Sequence, residues 1–122
     1  MKLHLTTSDG RNAITGYGAG YVEINGKRYE SNLVVQPASI ETDWITGPDG
    51  DIGPDGIAFL AALQAEIILL GTGATQRFPA PATLRPLIEA GVGFEIMDTK
   101  AACRTYNILV AENRRVAAAL QV

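Results

Sequence analysis

The sequence predicts a mixed α/β sandwich, with a β-rich N-terminal half that carries a hairpin and a C-terminal βαβαβ unit. Three observations predict it. Glu66 to Leu70, Phe94 to Met97 and Val116 to Leu120 are short apolar runs separated by stretches with helical spacing, the alternation of a parallel sheet with crossover helices. The first two runs stop at Gly71-Thr72-Gly73 and Asp98-Thr99, so right-handed crossovers would bring both exits to one edge of the sheet. In the N-terminal half, Asn25-Gly26 separates two short alternating segments, and Asn-Gly supplies the paired positive φ angles of a type I′ hairpin turn.

Taken in order, Leu3-His4-Leu5 reads as a short strand ended by Ser8-Asp9-Gly10. His4 occupies a solvent-facing position there, with no second ligand-type residue to make it a metal site. Asn12 to Tyr17 forms a second extended piece. Gly16, Gly18 and Gly20 follow, but the next residues alternate as a strand and no helix begins. They therefore mark a bend or bulge rather than a dinucleotide fingerprint. The hairpin runs from Tyr21 to Glu30, with Tyr21, Ile24 and Tyr29 expected on the core face and Glu23, Lys27 and Arg28 in water. Leu33-Val34-Val35 and Ile40 to Ile45 read as further strands, the latter carrying the one tryptophan, Trp44.

Residues 47–56 form a loop of Gly, Pro and Asp. Its three aspartates invite calcium, but Leu60 stands where an EF-hand needs its bidentate glutamate, and turn chemistry accounts for the composition. A short helix is expected from Asp55 to Leu63, capped by Asp55. Pro81 or Ala82 opens the next helix, with Leu84, Leu87 and Ile88 inward and Gly91 as its stop. Pro86 is compatible only with a first turn, which predicts a short helix. The last helix, Lys100 to Asn113, is expected to expose Lys100, Arg104, Asn107, Ala111 and Arg114. Ala101, Ala102, Thr105, Ile108 and Leu109 should be buried, with Cys103, Tyr106 and Val110 on a flank.

At 122 residues the chain suffices for one domain, 1–122, with a core that needs no staples. A net charge of −3 without a basic block argues against nucleic acid. A single cysteine permits no internal disulfide, and one cysteine with one histidine cannot assemble a zinc site. No apolar run reaches the roughly 18 residues of a membrane span. The N-terminus lacks both a secretory core and an arginine-rich presequence, so the expected location is the cytoplasm. No cofactor is called for.

Three kinds of site can be written from these residues. A catalytic site would rest on Cys103, its thiol lowered by Arg104 and a helix N-terminus. No histidine stands near it in sequence to act as base, and this argues against catalysis. A binding crevice for a small anion or metabolite would use the backbone of Gly71, Thr72, Gly73 and Thr99 together with Arg104. A protein-interaction surface would use Trp44, Tyr21 and Phe78, with Tyr17, as aromatic anchors where exposed. Against each stands a plainer role: buried small cysteine, solvated arginine, core tryptophan.

Beyond these readings, several stretches carry a family resemblance. They are Gly71-Thr72-Gly73 with Phe78-Pro79, Gly91 to Thr99, Ala101 to Leu109, and Glu112-x-Arg114-x-Val116-Ala117-Ala118-Ala119-Leu120. Together they resemble the small α/β family that includes mitochondrial complex I (NADH dehydrogenase) assembly factor 3 and the adipogenesis-associated domain protein. The resemblance covers nearly the whole chain and is strongest after Glu66. It implies a compact α/β sandwich and, in the mitochondrial branch, help in respiratory complex assembly through protein contacts. The missing presequence points to a bacterial member.

Overall fold

A computed structural model describes residues 10–44, 46–47 and 50–122. The expected strand around His4, the end of the expected strand at Ile45, and Asp49 of the proline-glycine loop lie outside these residues. The architecture is mixed α/β, with two sheets and three helices among the described residues. Strands β1 (Ile14–Gly18), β2 (Tyr21–Ile24) and β3 (Lys27–Tyr29) form an antiparallel meander. Strands β4 (Leu33–Gln36) and β5 (Ser39–Thr42) begin a second sheet. Then follow α1 (Pro54–Ala61), β6 (Ile67–Thr72), α2 (Pro81–Glu89), β7 (Gly93–Met97), α3 (Thr99–Ala111) and β8 (Val116–Gln121). The five-stranded sheet has the order β5-β4-β8-β6-β7.

The predicted βαβαβ unit is present. β6 lies between β7 and β8 and runs parallel to both, with Gly71 opposite Met97 on one side and Leu120 on the other. The ends of β6 and β7 therefore share a rim, as open parallel sheets require for a crevice. β4 adds antiparallel to β8, pairing Leu33 with Leu120.

Side chains alternate across this sheet with a period of two, and both faces are covered. Ile68, Leu70, Ala117, Ala119 and Val34 face α1 and α2, where they meet Ile57, Leu60, Leu84, Leu87 and Trp44. Leu69, Ala118, Leu120, Leu33 and Val35 face the other way, into a core built with α3 and the meander. The alanines of β8 are small enough for layers to close on both sides.

Several expectations need correction. Tyr21 and Ile24 cannot share a face of one strand, being three residues apart. Val22 and Ile24 are the buried pair. Tyr21 instead lies on the outer face, where a Cβ on Gly18 would come within 2.6 Å of its ring. Gly16 likewise has only Glu23 over it, and the β1–β2 register slips between Ile14 and Gly16, as the bulge reading expects. Asn25 (φ 53) and Gly26 (φ 84) make the predicted turn. Asp55 sits within the first turn of α1; the N-cap is Gly53 and no side chain caps it. α2 runs past Pro86 to Glu89 and leaves Ile88 58% exposed. β5 ends at Thr42, so Trp44 lies beyond the strand.

The buried face of α3 is also different. Thr99, Ala102, Cys103, Tyr106 and Val110 point inward, while Ile108 is 59% exposed. Tyr106 can be buried because its hydroxyl donates to the Asn12 carbonyl at 2.9 Å. Asn107, expected in water, holds β1. Its amide accepts from the Ile14 N–H at 2.9 Å and donates to the Ile14 carbonyl at 2.7 Å, as a neighbouring strand would.

Candidate functional site

The rim at the carboxyl ends of β6 and β7 starts with Gly71. A side chain there has no room: a Cβ would stand 3.0 Å from Leu120 Cδ2, 3.1 Å from Ala102 Cβ and 3.1 Å from Thr99 Cα. The glycine lets the first turn of α3 approach the central strand. Two residues on, Gly73 and Thr99 bind each other. The Gly73 N–H donates to Thr99 Oγ1 at 2.8 Å, and the Thr99 N–H donates to the Gly73 carbonyl at 2.9 Å. Thr99 Oγ1 in turn donates to the Gln121 carbonyl at 2.6 Å, which ties β8 to the same knot. Thr72 Oγ1 lies within hydrogen-bond distance of the Thr75 and Met97 carbonyls, at 2.8 and 3.2 Å, and accepts from the Arg77 N–H at 2.9 Å.

The structure thus brings Gly71, Thr72, Gly73 and Thr99 together, but the Gly73 and Thr99 N–H groups and both threonine hydroxyls already have partners in and around the rim. The Asp98 side chain caps α3 by accepting from the Ala101 N–H at 2.9 Å. A carboxylate there takes the place an incoming anion would occupy at the helix N-terminus. Arg104 stands apart on the exposed side of α3, where it donates to the Tyr17 hydroxyl at 3.3 Å.

Two hollows flank this knot. One, of about 300 Å³, opens between the residue 50–52 loop and the start of α2, and Thr72, Arg77, Phe78, Thr83 and Gln121 line it. Arg77 reaches across its mouth to Asp51 at 2.6 Å, and both side chains are mostly exposed. The other is smaller, about 130 Å³, and brings Tyr21 beside Gly73, Thr99 and Lys100. Gln121 lies between the two hollows, lining both, and its amide donates to the Gly50 carbonyl. Sequence reasoning missed Arg77 and Gln121. Arg77 had a signal in its place directly after the glycine turn; Gln121 had none, because only the pairing of β8 with β6 brings it here.

Of the aromatic residues, Trp44 is 5% exposed and its indole N–H donates to the Gly56 carbonyl at 3.3 Å inside the core. That burial makes it a packing residue rather than an exposed anchor. Tyr21 is half-buried, with the Arg28 guanidinium 3.9 Å from its ring centroid. Phe78 is 70% exposed at the lip of the larger hollow.

Cys103 is fully buried, and removal from water pushes its thiol up to about 12, with Arg104 opposing the shift only in part. A thiol so placed carries almost no thiolate at neutral pH and is a core residue. Among the described residues no cluster of three metal-ligating side chains occurs, and no helix is long and apolar enough to cross a membrane.

Residues 14–121 match the model of the family described as "protein of unknown function (DUF498/DUF598)". The chain belongs to this family. A relative within reach is "NADH dehydrogenase [ubiquinone] 1 alpha subcomplex assembly factor 3" of Danio rerio. It is 36% identical over 110 residues, which are 88% of this chain and 62% of the relative. The chain therefore spans about three fifths of that assembly factor's length. An uncharacterised protein of Rhodobacter capsulatus is 38% identical over 88% of this chain and 82% of its own length. The family fold matches a crystal structure of a Bordetella parapertussis protein with a TM-score of 0.84 at 40% identity, covering 94% of this chain and 98% of the other. The resemblance read from the glycine turn and the last helix is thus a true kinship.

Proposed function

We propose that this chain is a non-catalytic protein-interaction domain of the assembly-factor kind, linked to respiratory complex assembly and working in the cytoplasm. The observation that carries the reading is the 36% identity to a complex I assembly factor over 88% of the chain. The site chemistry supports it. The one thiol is buried and its pKa is raised, so Cys103 is not an activated nucleophile. Phe78 offers a large exposed aromatic surface beside a hollow, the kind of residue that anchors interfaces. The cytoplasmic placement is part of the same proposal.

A small-anion or metabolite site at Gly71–Gly73 and Asp98–Arg104 is the second reading, and it has less support. It needs N–H groups of Gly73 and Thr99 that already have partners. Affinity capture from the native cell, read for subunits of NADH dehydrogenase, tests the preferred reading. Such subunits should be retained by the parent chain and lost on Phe78→Ala without a change in melting temperature. Capture of none, or equal capture by the variant, counts against it.

A further inference from the structure

The opposite edge of the five-stranded sheet, where β6 and β8 begin, carries a cavity of about 340 Å³. Loops distant in sequence meet there. Arg11 comes from the segment before β1, Pro37 and Ala38 from the β4–β5 turn, Gln64 from the α1–β6 loop, and Asn113, Arg114 and Arg115 from the α3–β8 turn. Three of the chain's ten basic side chains thus line one hollow, in a protein whose net charge is −3. Among the described residues no carboxylate lines it.

The three arginines are held differently. Arg11 donates to the Val110 carbonyl at 2.7 Å and to Asn113 Oδ1 at 2.8 Å, so it closes the carboxyl end of α3. Arg114 Nε lies 3.1 Å from Glu66 Oε2 at an angle that makes an ion pair rather than a directed hydrogen bond. The other Glu66 oxygen accepts from the Arg115 backbone N–H at 3.1 Å. The Arg115 guanidinium is exposed and has no carboxylate within ion-pair distance among the described residues. Arg115 therefore brings to this hollow a positive charge with no carboxylate partner among the described residues. Gln64 (φ 60) and Asn113 (φ 61) both hold left-handed backbone on its wall, a conformation that for a glutamine needs support from its surroundings.

We propose that this arginine-lined cavity binds a small phosphate-bearing anion. Guanidinium forks match phosphate oxygens in geometry as well as charge. The volume sits at the lower end of the range for small-molecule sites, about 300–1,000 Å³. That size suits an inorganic phosphate, a pyrophosphate or a compact phosphate ester. A nucleic acid would need basic surface beyond this hollow, which the acidic chain does not provide.

The test uses the full chain with inorganic phosphate and pyrophosphate as probes, at constant ionic strength. Affinity is read by calorimetry, and the location by amide chemical shifts. The expected result is saturable binding that moves the amides of Asn113 to Val116. Affinity should fall about tenfold or more on Arg115→Ala, the loss of one charged hydrogen-bonding partner. Arg115→Gln, which keeps much of the stem, should show the same loss and guards against misfolding. Arg77→Ala, at the other edge of the sheet, should bind as the parent does. Absence of saturable binding of both probes overturns the proposal. So does binding that survives both Arg115 variants or disappears with Arg77→Ala. None of these outcomes depends on the protein-interaction reading.

Discussion

Gly71→Ala probes the close approach of α3 to the central strand. The added Cβ would meet Leu120 Cδ2 at 3.0 Å and both Ala102 Cβ and Thr99 Cα at 3.1 Å, well inside the optimal carbon separation of about 3.5–4.0 Å. Thr99 Cα is backbone and Ala102 has no rotamer to change, so only Leu120 could yield, and it is fully buried. The first turn of α3 would have to move off β6, which stretches the paired Gly73–Thr99 bonds. Overpacking of this kind costs about 1–3 kcal/mol. Replacing glycine recovers about 0.4–1 kcal/mol by restricting the unfolded chain. At the midpoints of these ranges the net is a loss of about 1.3 kcal/mol, or roughly 4–8 °C in melting temperature for a domain of this size. Gly93→Ala is the internal control. It lies in β7 beside the same central strand, but its new Cβ would find only the Glu66 carbonyl, at 3.6 Å, so the variant should match or slightly exceed the parent. Urea denaturation with calorimetry reads both. A Gly71→Ala protein within about 0.5 kcal/mol of the parent, or a Gly93→Ala protein equally damaged, refutes the close-approach reasoning.

Thr99→Val keeps the shape of the side chain but removes the hydroxyl shared by Gly73 and Gln121. It should cost about 1–3 kcal/mol in urea denaturation, the penalty for leaving buried polar groups unmatched. Cys103 should react with alkylating reagents at pH 8 far more slowly than free cysteine and reach the free rate only in denaturant, because burial holds its thiol near 12; fast labelling of the native chain would show an open site. Glu66 is held below its ordinary value of 4.5, first by the Arg115 N–H and then by Arg114. A lowered carboxyl stabilises the fold above its unfolded value and loses that contribution as pH falls through the lowered one. The parent should therefore lose stability below about pH 4.5 more steeply than Glu66→Gln, and parallel acid profiles would count against the ion pair.

The parallel unit was legible because its signals are local. Two apolar runs end on glycine or on a helix cap, and both stops fall at the observed rim. The hairpin was legible for the same reason, since Asn25 and Gly26 set the turn by themselves. The inner face of α3 was not legible. A leucine and an isoleucine outweigh an alanine and a cysteine by hydrophobicity alone. Yet the small pair packs against the sheet, and Tyr106 joins it only because the Asn12 carbonyl is there to accept its proton. The closing of the rim was equally hidden: Thr99 finds Gly73 and Gln121 through strand pairing, not through spacing. The arginine cavity depends on Arg11 reaching Asn113 across 102 residues of chain, a distance over which composition carries no message.

The central claim is that the glycine-threonine rim is a structural knot whose donors already have partners. Amide hydrogen exchange at Gly73 and Thr99 tests it most directly. Both amides should be protected to the level of the central strands, and neither resonance should move when phosphate is added. Rapidly exchanging amides at these two positions, shifting as phosphate is titrated in, would contradict it.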